Sequence, residues 1–218
     1  MTTATVGVMT PTGPATAAIQ ARLECEIETL LATLPDPAQL SPEERRGIIA
    51  RYAAVLEGNF IYWMTGAYIA AGSDEARAKI IDNLREEVRD CHPGMMRRFA
   101  AAAHASPTEQ DAAAVSRTLM NVRLFIGRLE AVPIVVTMAF FEGFIQRFMP
   151  YLADLASRQG SSDMEYTDVH GICDITHTEE LFRALEAELA LAPPLSQEAT
   201  FAGVGLLRDL ITNIVVTH

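Results

Sequence analysis

Apolar residues recur at three- and four-residue intervals along most of the 218-residue chain, while the strict alternation of a half-buried strand does not recur. Pro14 opens a first helix to about Thr33, and L-P-D-P-A-Q-L-S-P then breaks the chain. Ser41-Pro42-Glu43-Glu44 joins an N-cap, a proline at the first helical position and a capping-box glutamate, which predicts a long helix to about Ala71. Ser73-Asp74-Glu75 caps a third helix to about Asp90, His92-Pro93 re-aims the chain, and a short fourth segment follows to Ala105. The S-P-x-E signature repeats at Ser106-Pro107-Thr108-Glu109, starting a fifth helix to about Ala131. A sixth runs from Val132-Pro133 to about Gln159, a seventh contains Tyr166–Glu180 and stops at Ala192-Pro193-Pro194, and the last spans about Ser196 to Val216. The pattern predicts an all-α bundle of seven to eight helices, one domain over 15–218 behind a flexible tail at 1–14.

Two carboxylates interrupt this pattern. Glu142 lies in V-P-I-V-V-T-M-A-F-F-E-G-F-I-Q-R-F-M, where a helix gives it Val135, Met138, Ile145 and Met149 as face neighbours. Unpaired and ionised there it would cost several kcal/mol, so it needs a metal, a proton, or an arginine such as Arg123, Arg128 or Arg147. Glu57 raises the same question in the second helix, sharing a face with Ala50, Ala53, Ile61, Met64 and Tyr68.

In the seventh helix His170, Asp174 and His177 stand at i, i+4 and i+7, which places them on one face within about 40° of each other. Two imidazoles and a carboxylate suit iron, manganese or zinc better than calcium or magnesium; the alternative is a polar, solvated face. Glu86 and Glu87 precede His92 in N-L-R-E-E-V-R-D-C-H-P. Glu87 and His92 would be about 140° apart on an unbroken helix, so they meet only if the helix unwinds before Pro93. Glu57, Glu87, Glu142 and Asp174 with His92, His170 and His177 give four carboxylates and three histidines. Two divalent ions balance that charge, whereas one zinc needs only about four ligands.

A net charge of −11 repels phosphate backbones and argues against nucleic acid. Lys79 is the one lysine beside sixteen arginines, which leaves little room for Schiff-base chemistry. No apolar run reaches the length of a bilayer span before a charge interrupts it, and the N-terminus has no export-signal pattern. Cys25, Cys91 and Cys173 are an odd set without C-x-x-C, which fits a reducing cytoplasm; Cys91 and Cys173 read as small buried residues.

From Glu57 to Glu180 the chain resembles the haem-oxygenase-like di-iron oxidases and oxygenases, whose fold is that of haem oxygenase and whose centre holds non-haem iron. The resemblance rests on a Glu in an early helix, N-L-x-E-E followed by H-P, a Glu within an apolar helix, and H-x3-D-x2-H about 28 residues later. It implies two Fe(II) ions held by Glu57, Glu87, His92, Glu142, His170, Asp174 and His177, with Glu87 preferred over Glu86. O2 is then the co-substrate, with an external reductant where turnover needs one. The reaction it implies is N-oxygenation of a small amine or other nitrogenous metabolite in a biosynthetic pathway, with desaturation or oxidative C–C cleavage of an amino or fatty acid as the alternative. Tyr166 is expected to line the pocket, and Arg128 or Arg147 to meet a substrate carboxylate. No axial histidine precedes His92, so haem is not expected. A non-enzymatic metal-binding helical protein is the rival class. The expected partner is a small molecule, with no nucleic acid and no membrane; a homodimer remains open. The ion beside His92 is expected to be the weaker-bound.

Overall fold

The computed structural model describes residues 13–192 and 195–216. Within them are eight helices and no strand: α1 (Pro14–Leu31), α2 (Pro42–Ala70), α3 (Asp74–Arg89), α4 (His92–Ala102), α5 (Glu109–Ile126), α6 (Ala131–Arg158), α7 (Glu165–Leu191) and α8 (Gln197–Val215). The all-α expectation holds. Of the proposed tail, residues 1–12 lie outside the described residues, while Gly13 caps α1 and its N–H donates to Glu186 Oε1 at 2.9 Å. Ala192 is the C-cap of α7, and Pro193 and Pro194 lie outside the described residues.

Capping chemistry sets most of the boundaries. Ser41 accepts from the Glu44 N–H while the Glu44 carboxylate accepts from the Ser41 N–H, the reciprocal box read from the sequence. The start of α5 differs: Thr108, not Ser106, is its N-cap, boxed with Asp111. It also ends at Ile126, well before Ala131, because the chain turns through Gly127 and Arg128 to Leu129, whose φ of 56° is incompatible with a right-handed helix.

Asp111 also receives both terminal nitrogens of Arg46, at 2.9 and 3.1 Å, tying α5 to α2. Burial works to raise its pKa, but the bonds from Arg46 and Thr108 outweigh it and hold the carboxyl below its ordinary value. A depressed folded pKa stabilises above the unfolded value of about 3.9 and loses that contribution as pH falls through the folded value. Asp111→Ala removes both the cap and the pair, so we expect a loss of about 2 kcal/mol at pH 7. In urea melts the gap from wild type should begin to narrow below about pH 3.9, the unfolded value, and narrow further as pH falls through the folded value; an unchanged gap there would count against the assignment.

α6 runs through the centre of the bundle and packs against α1, α2, α7 and α8. Glu142 does interrupt the longest apolar run, as read from the sequence. α6 is long and apolar enough to cross a bilayer, but 83% of its most apolar window is covered by the other helices. Its apolar surface is that of a core helix.

Two departures from regular helix shape the region around Glu142. Within α2, Gly58 has a φ of 146°, which only glycine adopts without strain, and the helix kinks at Glu57-Gly58. Between α3 and α4, Cys91 takes the left-handed conformation, φ 56° and ψ 45°. The unwinding expected before Pro93 is therefore present.

Candidate metal centre

The corner at Cys91 brings Glu87 and His92 together despite their five-residue spacing. Glu87 is on the buried side of α3, and His92 at the start of α4 donates its Nδ1–H to Glu87 Oε1 at 2.6 Å. α7 supplies His170, whose Nδ1–H donates to the Tyr166 carbonyl at 2.9 Å and whose Nε2 faces Glu87 Oε1 at 3.9 Å. Glu87, His92 and His170, all buried, thus present ligand atoms within 4.8 Å of one another.

One turn further along α7, Asp174 and His177 form a second group with Glu142 of α6. His177 Nδ1 is 3.7 Å from both Glu142 Oε1 and Asp174 Oδ1. Ligands of a first-row ion bound at about 2.1 Å stand roughly 3 to 3.5 Å apart, so a modest contraction would let these atoms share one ion. Asn83, one turn before Glu87 on α3, donates to Glu142 Oε1 at 2.7 Å. None of the arginines considered as partners of Glu142 reaches it: Arg123 bonds Asn59 Oδ1, Arg147 pairs with Glu24 and Glu28, and Arg128 lies over the Phe125 ring.

Two donors of this second group are left without a hydrogen-bond partner among the described residues, Asp174 Oδ2 and His177 Nδ1, both buried. Each such atom costs about 1–3 kcal/mol unless something fills the place of water. A cation does so, and imidazole with carboxylate is the donor chemistry of a first-row ion such as iron. The residues fit the metal.

The charges of the site bear on one another. Burial, and then the neighbouring Glu142, raise the pKa of Asp174. Burial also raises Glu87, against the opposing effect of His92. Burial and the His92 charge push His170 down to about 4, so it is a neutral imidazole ready to ligate. His177 moves up: burial opposes this, but Asp174, Glu142 and Glu86 together outweigh it.

Beside these donors is a cavity of about 30 Å³, room for a few water-sized groups. Its other wall is apolar: Leu56, Phe60 and Ile61 from the kinked part of α2, Met96 from α4, and Phe141 and Ile145 from α6. Tyr166 lines it as expected, its ring centroid 4.2 Å from that of His170 and its hydroxyl 3.0 Å from the Tyr52 hydroxyl.

Of the seven residues read from the sequence as ligands, six converge: Glu87, His92, Glu142, His170, Asp174 and His177. Glu57 does not. The glycine kink re-phases α2 so that Glu57 turns outward, its side chain 41% exposed and paired with Arg97 at 2.8 Å. Arg128 and Arg147 are likewise absent from the cavity lining. Cys91 is exposed at its corner instead of buried, and Cys173, half-buried, donates its S–H to Asp174 Oδ1 at 3.2 Å. The sequence reading gave no role to Asn83, to Tyr52 or to Glu86, the last of which accepts from His177 Nε2 at 3.0 Å. Asn83 had a signal: it stands four residues before Glu87, hence on the same helix face.

No curated protein matches the chain. A family model described as that of an iron-containing redox enzyme matches residues 49–210, a span that includes all six converging donors. With that match over well more than half of its length, and with a buried donor set that suits iron, the chain belongs to this family of iron-containing redox enzymes.

Proposed function

We propose that the protein is an O2-dependent di-iron oxygenase that oxidises a nitrogen atom of a small, largely apolar metabolite, an amine or related compound on a biosynthetic route. The observation that carries this reading is the meeting of two donor groups, Glu87/His92/His170 and Glu142/Asp174/His177, against one apolar wall. Bound iron would supply the electrons that O2 needs and that no side chain here can give.

The protein's own residues do the rest. Glu87, His92 and His170 are close enough to hold one ion, and Glu142, Asp174 and His177 the other. Asn83 fixes the Glu142 carboxylate from behind, and Tyr52 with Tyr166 fixes the floor on which His170 rests. Leu56, Phe60, Phe141 and Ile145 exclude water and orient an apolar substrate body toward the donors. None of the lining residues is Arg or Lys, so nothing in the wall neutralises a substrate carboxylate. That favours a nitrogen compound without a carboxylate over an amino acid. The same wall supports a second reading, C–H oxidation of an alkyl chain, in which desaturation or loss of CO2 replaces oxygen gain. In either reading the protein works in the cytoplasm with its cysteines as thiols.

The test is anaerobic addition of two equivalents of Fe(II) followed by O2, with substrates screened by mass. We expect a transient visible absorption, and gain of one oxygen atom on an amine. Loss of two hydrogens or of CO2 would establish the second reading instead. One tightly bound zinc per chain and no transient would reject both and leave a non-enzymatic metal-binding protein.

A further inference from the structure

The two ring nitrogens of His177 face different surroundings. Nε2 lies 3.0 Å from Glu86 Oε2, whereas Nδ1 has no hydrogen-bond partner among the described residues and sits between Glu142 and Asp174. An imidazole that binds a metal through one nitrogen carries its proton on the other, and the acceptor beside that proton decides which is which. Glu86 and Glu87 are adjacent in sequence, but a helix turns about 100° per residue, so Glu87 is buried among the donors while the Glu86 side chain stays 45% exposed behind His177.

We propose that Glu86 is a positioning residue which, by accepting the Nε2–H of His177 from outside the bundle, selects Nδ1 as the atom that meets the metal. The proposal rests on the reading of His177 as a ligand. It gives the two neighbouring glutamates separate tasks, Glu87 as donor and Glu86 as the anchor of another donor. It also restores the charge balance that Glu57, turned outward, does not provide. Glu87, Glu142 and Asp174 carry three negative charges against the four positive charges of two divalent ions. Glu86 adds the fourth carboxylate, through the His177 ring and without displacing a ligand. Because it is half-exposed, replacing it leaves the bundle's core untouched.

Zinc serves as a diamagnetic probe, so that binding and protonation are read without turnover. Zinc affinity is measured by competition with a chromophoric chelator for wild type, E86A and E86Q. Nitrogen-15 NMR of the loaded proteins reports which nitrogen of His177 carries the proton. In wild type we expect the proton on Nε2 and zinc on Nδ1. E86Q keeps a carbonyl acceptor but loses the charge, and should retain that proton pattern with affinity about three- to tenfold below wild type. E86A should bind zinc about 10- to 100-fold more weakly at the His177 site, with the Nε2 proton exchanging rapidly with water.

Three results would overturn the proposal. Equal losses in E86Q and E86A would make Glu86 itself a ligand, wild-type behaviour of E86A would leave it no role, and zinc on Nε2 in wild type would reverse the assignment. Failure of the iron and O2 chemistry would leave these zinc readouts standing, and their failure would leave that chemistry open, so the two outcomes are separable.

Discussion

Glu142→Gln should reduce iron loading from the proposed two ions per chain to one or fewer while leaving the helical circular dichroism of wild type. Glu142 is 3% exposed at the centre of α6, the most buried helix of the bundle, where a carboxylate has no structural purpose that an apolar residue would not serve better. Its one hydrogen bond comes from Asn83, which a glutamine carbonyl can still accept. The substitution therefore removes charge with little change of shape. Without metal the variant should lie within about 1 kcal/mol of wild type, because relief from a buried charge and its repulsion of Asp174 is offset by the lost attraction for His177. Glu142→Ala should also abolish two-iron loading, though it leaves a void in α6 that Gln avoids. Turnover should fall at least about 10³-fold, equivalent to about 4 kcal/mol of barrier. Iron counted by a ferrous chromophore gives the direct answer. Two irons per chain in the Gln variant would remove Glu142 from the site.

The legibility of the site in the sequence follows from how each residue departs from, or obeys, helical periodicity. Glu142 was visible because one charge in a long apolar stripe is an energetic anomaly whatever surrounds it. His170, Asp174 and His177 were visible because a regular helix fixes their common face, and α7 is regular through that turn. Even the Cys91 corner could be inferred, since Glu87 and His92 fail to share a face on an unbroken helix and a proline follows. Glu57 shows the limit of the same method. Its apolar neighbours were counted along a continuous α2, but the phase is broken at the next residue, Gly58, whose φ of 146° has no signature in periodicity. A lone glycine in a helix marks a place where phase can be lost, without saying that it is. Arg128 and Arg147 failed for another reason. Their partners, Phe125 for one and Glu24 and Glu28 for the other, are set by packing between helices, which spacing along the chain does not encode. Glu87 was preferred over Glu86 as a donor, but the task of Glu86 was not legible, because a one-residue step turns a helix by about 100° and only the packing of α3 against α7 shows what that flank meets.

Loading the site with iron should raise the melting temperature by about 10–20 °C, and a strong chelator should reverse the gain. In the metal-free protein Glu87, Glu142 and Asp174 are packed together at 3–4% exposure or less, with burial raising two of them above the ordinary carboxylate range. That arrangement is unfavourable until cations enter. An ion at about one hundred times its dissociation constant contributes about 2.7 kcal/mol, so two contribute about 5. A protein of this size gains about 2–4 °C per kcal/mol. The loss on chelation should come in two steps, because the halves of the site differ in support. Glu142, Asp174 and His177 stand on the regular parts of α6 and α7, whereas His92 depends on Cys91, a non-glycine residue held left-handed at a cost of about 1–2 kcal/mol. Relaxing that corner withdraws His92 from Glu87 and His170, so the ion between them should leave first. Differential scanning fluorimetry under anaerobic Fe(II), repeated across a chelator series, distinguishes one step from two. A gain below about 2 °C, less than one kcal/mol on this scale, would mean that the buried donors do not hold metal.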